Sequence, residues 1–200
     1  VGSALYDSTK AIGAQGAGVA SATALTGGLT LAVGANQAVA IGASVVGVAG
    51  AAAGQTAGSA FAKAAAINAA GVGGLNAQAD TTASFAYATT AASNYQLKIN
   101  GVTIVAATAT GGITGAQMAT NINANSAGTG VTATFSGGNL TLNAADGRDI
   151  IVEQTNAAGG SGLGANAAPN NTANAGAGAV FVAIGTGVAT ARTVGVSSKG

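Results

Sequence analysis

From residue 96 to residue 154, apolar and polar positions alternate in short runs broken by turn residues. Leu97, Ile99 and Ile104 fall on one face, with Lys98 and Asn100 turned to water. A type I′ hairpin turn needs positive φ at both central residues, so Asn100-Gly101 is a strong hairpin signal. The pattern predicts strand, turn, strand over 96–106. Met118, Asn121 and Ile122 then recur at helical spacing within 114–124, and Thr114 is placed to accept from a free N–H of the first turn. A helix of about three turns is stabilised by docking rather than by propensity. Asn125-Ser126-Ala127-Gly128 is expected to end it. Val131, Ala133 and Phe135 alternate next, Ser136-Gly137-Gly138-Asn139 turns the chain, and Leu140 and Leu142 resume the alternation. Ala145-Asp146-Gly147-Arg148 forms another turn, and Ile150 to Glu153 form a last strand.

The same order recurs upstream in looser form. Ala62-Lys63-Ala64-Ala65-Ala66-Ile67-Asn68-Ala69 aligns with Gln117-Met118-Ala119-Thr120-Asn121-Ile122-Asn123-Ala124, Ile-Asn on Ile-Asn. Leu75-Asn76-Ala77-Gln78-Ala79 falls where Val131 to Phe135 fall, and Leu29-Thr30-Leu31 with Val39-Ala40-Ile41 replaces the first strand pair. The expected fold class is α+β: mostly antiparallel β with short docked helices, in two repeated β-β-α-β-β units. The first unit is placed at 29–90 and the second at 91–156, between flanking base segments 1–28 and 157–200. Residues 157–178 read as low-complexity loop around Pro169, and 179–196 alternate again. The two ends are expected to lie close together, as in an insertion cut from a longer parent. Val1, with no Met and no basic stretch after it, predicts a fragment or a processed product.

Two hundred residues allow one large domain or two small ones. Only 6% are charged and 4% aromatic, and 34 are Gly, so any core is built from small aliphatic side chains. Each buries little area, at about 25 cal/mol per Å², so a unit depends on its neighbours. Net charge is +1, and Lys10, Lys63, Lys98, Arg148, Arg192 and Lys199 are scattered singly. Nucleic-acid binding needs clustered cations and is not expected. There is no Cys, hence no disulfide and no thiol chemistry. The uncharged stretch between Lys10 and Lys63 is interrupted by Asn36, Gln37, Gln55 and several glycines. It lacks the run of about 20 strongly apolar residues a spanning helix requires, so no membrane partner is expected.

The chain has no His. Asp146, Asp149 and Glu153 lie close in sequence, as in a weak Ca²⁺ site, but they fall short of its ligand count. Asp146 reads as a turn residue bonded to its own backbone, and Asp149 and Glu153 as solvated strand-edge charges. Gly160-Ser161-Gly162-Leu163-Gly164 resembles part of a phosphate loop without the strand-to-helix context or the Lys. Hydroxyls are plentiful, but none has a base partner. Lys63 reads as a solvent-face lysine. Asn139-Leu140-Thr141 and Asn170-Asn171-Thr172 match the glycan-acceptor pattern. No catalytic residue, metal ligand or cofactor is expected.

One constellation remains: Ile99-Asn100-Gly101-Val102, then the helix with Ile122-Asn123, then Val131 and Ala133, then Leu140 and Leu142 leading to Asp146-Gly147-Arg148. It resembles the IN motif of the variable central region of bacterial flagellins and of hook-associated proteins. Ile67 and Asn68 resemble the same positions of a second copy, although Val33-Gly34-Ala35-Asn36 stands where that copy would carry its Ile-Asn-Gly turn. The resemblance implies a structural, non-enzymatic, surface-exposed outer domain of a flagellin. It implies an extracellular place on the bacterial flagellum, a role in motility, and other flagellin subunits as partners in a homo-oligomeric filament. Flagellins polymerise through long terminal helices with heptad-like patterns. None is seen here, so the chain reads as an excised outer domain with Val1 and Gly200 at the cuts. Contacts with neighbouring subunits are expected at strand edges and apolar patches of 29–58 and 157–184. Two other functions stay open. A domain of a hook-associated or cap protein shares the motif. A Gly/Ala/Thr-rich surface adhesin would show long regular repeats, where only two irregular copies occur.

Overall fold

The computed structural model describes residues 24–32, 35–46, 52–90, 95–106, 112–155, 162–163, 179–184 and 194–196. The elements run β1 (Leu29–Leu31), β2 (Val39–Ile41), α1 (Ala60–Ala69), β3 (Ala77–Ala79), β4 (Thr81–Ala88), β5 (Gln96–Ile99) and β6 (Val102–Val105). They continue with α2 (Gly115–Ala124), α3 (Ser126–Thr129), β7 (Thr132–Ser136), β8 (Asn139–Ala144), β9 (Ile150–Thr155), β10 (Gly162–Leu163), β11 (Ala179–Ile184) and β12 (Val194–Val196). Every strand pairing among the described residues is antiparallel. The fold is α+β, with short helices on mostly antiparallel strands.

Two four-stranded sheets, β10-β4-β8-β7 and β11-β9-β5-β6, share one core. Phe85, Tyr87, Leu140 and Leu142 come from the first; Leu97, Ile99, Ile150 and Val152 come from the second. Helix α2 packs against β7, β6 and β8, and its Met118 and Ile122 are fully buried. It closes the side of the sandwich where both sheets end in an edge strand. Two smaller sheets, β1-β2 and β12-β3, accompany α1, which packs against β3.

Local chemistry explains the helices. Thr114 caps α2: its hydroxyl accepts from the Gln117 N–H while the Gln117 side chain accepts from the Thr114 N–H, a reciprocal capping box. Ser59 caps α1 by accepting from Ala62 N–H. Helix α2 ends at Asn125 as expected, but a further helical turn follows at once. Thr129 and Gly130 N–H donate back to Asn125 and Ser126, forming α3, and the stop falls at Gly130 with φ of 68°. A side chain there would also collide with the Arg148 guanidinium.

Strand β4 has no counterpart among the expected elements. Its inward positions Thr81, Ala83, Phe85 and Tyr87 alternate strictly with outward ones, and it pairs along β8 from Thr81↔Ala144 to Ala86↔Asn139. Phe135, expected to face the core, is 38% exposed at the rim. Its ring lies flush on Gly115 and meets Tyr87 edge-on at 6.1 Å. The segments 1–23 and 164–178 lie outside the described residues, as do Gly160-Ser161 and Asn170-Asn171-Thr172.

Leu142 is fully buried between the sheets. Leu142→Ala is expected to destabilise the chain by about 2–5 kcal/mol in urea unfolding. Thr81→Val should act oppositely. The Thr81 hydroxyl is buried without a hydrogen-bond partner, and replacing it is expected to raise stability by about 1 kcal/mol in the same measurement.

Candidate functional site

The Ile99-Asn100-Gly101-Val102 segment is the tip of the β5-β6 hairpin. Asn100 and Gly101 adopt φ of 50° and 79°, the left-handed pair a type I′ turn requires. Ile99 is fully buried and Val102 half-buried. Asn100 does not face water as expected; it is 4% exposed. Its Nδ2 donates to the Thr129 carbonyl at 2.8 Å and its Oδ1 accepts from Ile151 N–H at 2.9 Å. Its backbone N–H donates to the Ile151 carbonyl at 2.8 Å. One side chain thus ties the hairpin tip to the end of α3 and to the start of β9. A buried carboxamide is tolerated because all these partners are supplied.

Asn123, on the last turn of α2, makes the second tie. Its Nδ2 donates to the Ala133 carbonyl at 2.9 Å, and its Oδ1 accepts from Ala133 N–H at 2.7 Å. Ala133 sits on β7, the end strand of its sheet. One step earlier on the same side, the Thr129 hydroxyl accepts from Val131 N–H at 3.0 Å and reaches the Val131 carbonyl at 3.3 Å. Val131, Leu140 and Leu142 are fully buried and Ala133 nearly so. Asn68, on α1, repeats the arrangement: its Nδ2 donates to the Ala77 carbonyl at 2.8 Å and its Oδ1 accepts from Ala77 N–H at 2.7 Å. Ile67 beside it is half-buried, whereas Ile122 is fully buried.

Sequence reasoning missed a further carboxamide. Gln154, 3% exposed, accepts from the Leu163 N–H and donates to its carbonyl, and also accepts from the Tyr95 hydroxyl. Its signal was parity: Gln154 shares the inward face of β9 with Ile150 and Val152. Burial pushes the Tyr95 phenol far above its ordinary range and raises Tyr87 to about 12.

Asp146 and Asp149 are structural too. Asp149 is not a solvated edge charge; it is 2% exposed and accepts from the Thr56 hydroxyl at 2.5 Å. Glu153 lies on β9, an inner strand between β11 and β5. Asp146 accepts from the Arg148 backbone N–H and pairs with its guanidinium at 2.7 Å. Burial alone would raise the Asp146 carboxyl, but the hydrogen bonds and charge of Arg148, with one from Gln55, outweigh it and hold the pKa below the usual carboxylate value. Among the described residues no group of three or more His, Cys, Asp or Glu side chains could hold a metal ion. An open groove of about 630 Å³ runs between α1, β3 and the Asp146 turn, lined half by alanines and otherwise by Phe61, Asn68, Gln78, Asp80 and Asp146. None of these side chains forms a nucleophile–base pair. No helix among the described residues is long and apolar enough to cross a membrane.

Among the described residues, the geometry defines a framework of side-chain ties. Residues 96–146 match the family model of the flagellin hook IN motif, 51 of the 200 residues. The chain carries a flagellin-related domain, of a family that is structural. No curated protein matches the chain.

Two outcomes test the framework. Asn123→Ala leaves both Ala133 groups without their partner and is expected to cost about 1–3 kcal/mol in denaturant unfolding. A cost below that measured for an exposed control such as Thr134→Ala would count against the tie. Because folding lowers the Asp146 pKa, its contribution is present above the unfolded carboxyl value and is lost as pH falls through the folded one. Thermal melts are expected to show a weaker acid-side loss of stability in Asp146→Asn than in the parent chain.

Proposed function

We propose that the chain is the surface-exposed outer domain of a bacterial flagellin, decorating the filament and contacting neighbouring outer domains in an extracellular motility organelle. The observation that carries this reading is the family match over 96–146, since that span holds the Asn123 tie, Asn100 with its Thr129 partner, and most of the core. On this reading the partners are other flagellin subunits and the role is structural, with no catalysis. We also propose that 29–90 is a second, looser unit beside 91–156. Support comes from the parallel between the two ten-residue helices. Each is capped by a hydroxyl, and each carries at its next-to-last position an Asn that holds the N–H and C=O of a single strand residue. Strand β4, from the first span, adds to the sheet of the second through β8. The contact surface is placed on the exposed Leu29, Val45 and Val46, which are 41%, 69% and 60% accessible.

Immunogold labelling with antibody against the 200-residue chain tests the reading on the intact organelle. Gold along the whole filament is expected. Gold confined to the filament base or tip would replace the flagellin by a hook-associated or cap protein, and gold on the cell body by a surface adhesin. Val45→Asp with Val46→Asp in the parent subunit is expected to weaken outer-domain contacts in filament images; an unchanged surface lattice would remove that patch from the account.

A further inference from the structure

Asn-Gly occurs once in the chain, at Asn100-Gly101. It is the dipeptide most prone to intramolecular deamidation, because glycine leaves its own nitrogen unshielded. The Gly101 nitrogen attacks the Asn100 Cγ, the Cγ–Nδ2 bond breaks and ammonia leaves, giving a five-membered succinimide. Water then opens one of the two ring C–N bonds and returns aspartate or isoaspartate. One water is consumed and one ammonia released, with no oxidant and no enzyme.

The fold opposes every step. The carboxamide is held at both ends, Nδ2 on the Thr129 carbonyl and Oδ1 under Ile151 N–H. The assignment of the two ends is forced, since a carbonyl only accepts and an N–H only donates. The Asn100 backbone N–H is bonded to the Ile151 carbonyl, and φ is fixed at 50°. Cγ reaches the Gly101 nitrogen only after both side-chain bonds break and the turn opens. Neither product fits back. An aspartate in place of Asn100 would set a carboxylate oxygen against the Thr129 carbonyl, acceptor against acceptor, at a position 4% exposed. The neighbouring Arg148 guanidinium, 3.4 Å from that carbonyl, is already engaged by Asp146. Isoaspartate adds a main-chain carbon, which lengthens a two-residue turn and breaks the register that sets Ile99 opposite Val102.

We propose that Asn100-Gly101 is a spontaneous modification site gated by folding. The folded chain protects the asparagine, and a chain that lingers unfolded converts it and can no longer close the hairpin onto α3 and β9. The inference rests on the turn geometry alone and is independent of the flagellar reading.

The test incubates the 200-residue chain in mildly alkaline buffer with and without urea, followed by peptide mass mapping and isoaspartate detection. Conversion at Asn100 is expected to lead all other asparagines in urea. In the native chain it is expected to run at least about tenfold slower, since it must wait for local opening. Aged urea samples, once refolded, should leave the converted chains in the unfolded fraction. Equal rates in the two states would overturn the protection. Asn100→Asp folding with parental stability would overturn the exclusion of the product. Asn100→Gly keeps the left-handed turn and removes the carboxamide, so it is expected to fold with reduced stability; parental stability in that variant would overturn the role of the tie.

Discussion

The structure depends on carboxamide side chains standing in for peptide groups. A carboxamide carries a donor and an acceptor in one plane, as a peptide does, so it satisfies an N–H and a C=O together without bringing a charge. Asn68 does this at Ala77, Asn123 at Ala133 and Gln154 at Leu163. Asn100 does it across two segments, Thr129 and Ile151. In a chain with 6% charged residues and no Cys, these ties take the place that salt-bridge networks or disulfides hold elsewhere. Leaving such backbone groups buried and unpaired would cost more than any single small side chain of this core returns.

The ties also decide how the sheets end. An end strand normally offers its outward N–H and C=O groups to any other strand, and proteins guard such edges with charges or bulges. Strand β7 carries no charge. Its approach is guarded by Thr129 at Val131 and Asn123 at Ala133, and α2 packs against it. The same side chains that dock the helix thus occupy the positions a foreign strand would need. Docking and edge protection are one interaction, which is why a helix of ten residues with modest amphipathicity is held in place.

Much of this was legible where the relevant partners are neighbours in sequence. The Asn100-Gly101 and Gly137-Gly138 turns, the Thr114 cap, Met118 and Ile122 on the buried face, and the alternation through Leu140 and Leu142 all express local rules. Strand β4 escaped because Thr81 and Ala83 dilute its apolar face, and only pairing with β8, far along the chain, turns it into an inward surface. The polar interior escaped for the same reason. Asn100 looked solvated because its partner Ile151 lies 51 positions away, and Asp149 because Thr56 lies 93 positions away. Polarity along a sequence reports the need for a partner; it does not say whether water or a distant segment meets it.

On the proposed reading, this neutral construction has a further consequence. The outward face of the β4-β8-β7 sheet sets Thr82, Asn143 and Thr132 in one row and Ser84, Thr141 and Thr134 in the next. Asn143 donates to Thr82, Ser84 shares a hydrogen bond with Thr141, and Asp80 at the end of the face accepts from Thr82, so the two rows are internally paired and hold no charged side chain themselves. Closely packed copies of one chain repeat any strongly charged face at short intervals, and like charges repel. A hydroxyl and amide face adds no such repulsion. The guarded edge of β7 meanwhile discourages strand addition between neighbouring domains. The carboxamide ties therefore serve the interior and the exterior at once, since these side chains hold segments together without adding a field outside the domain.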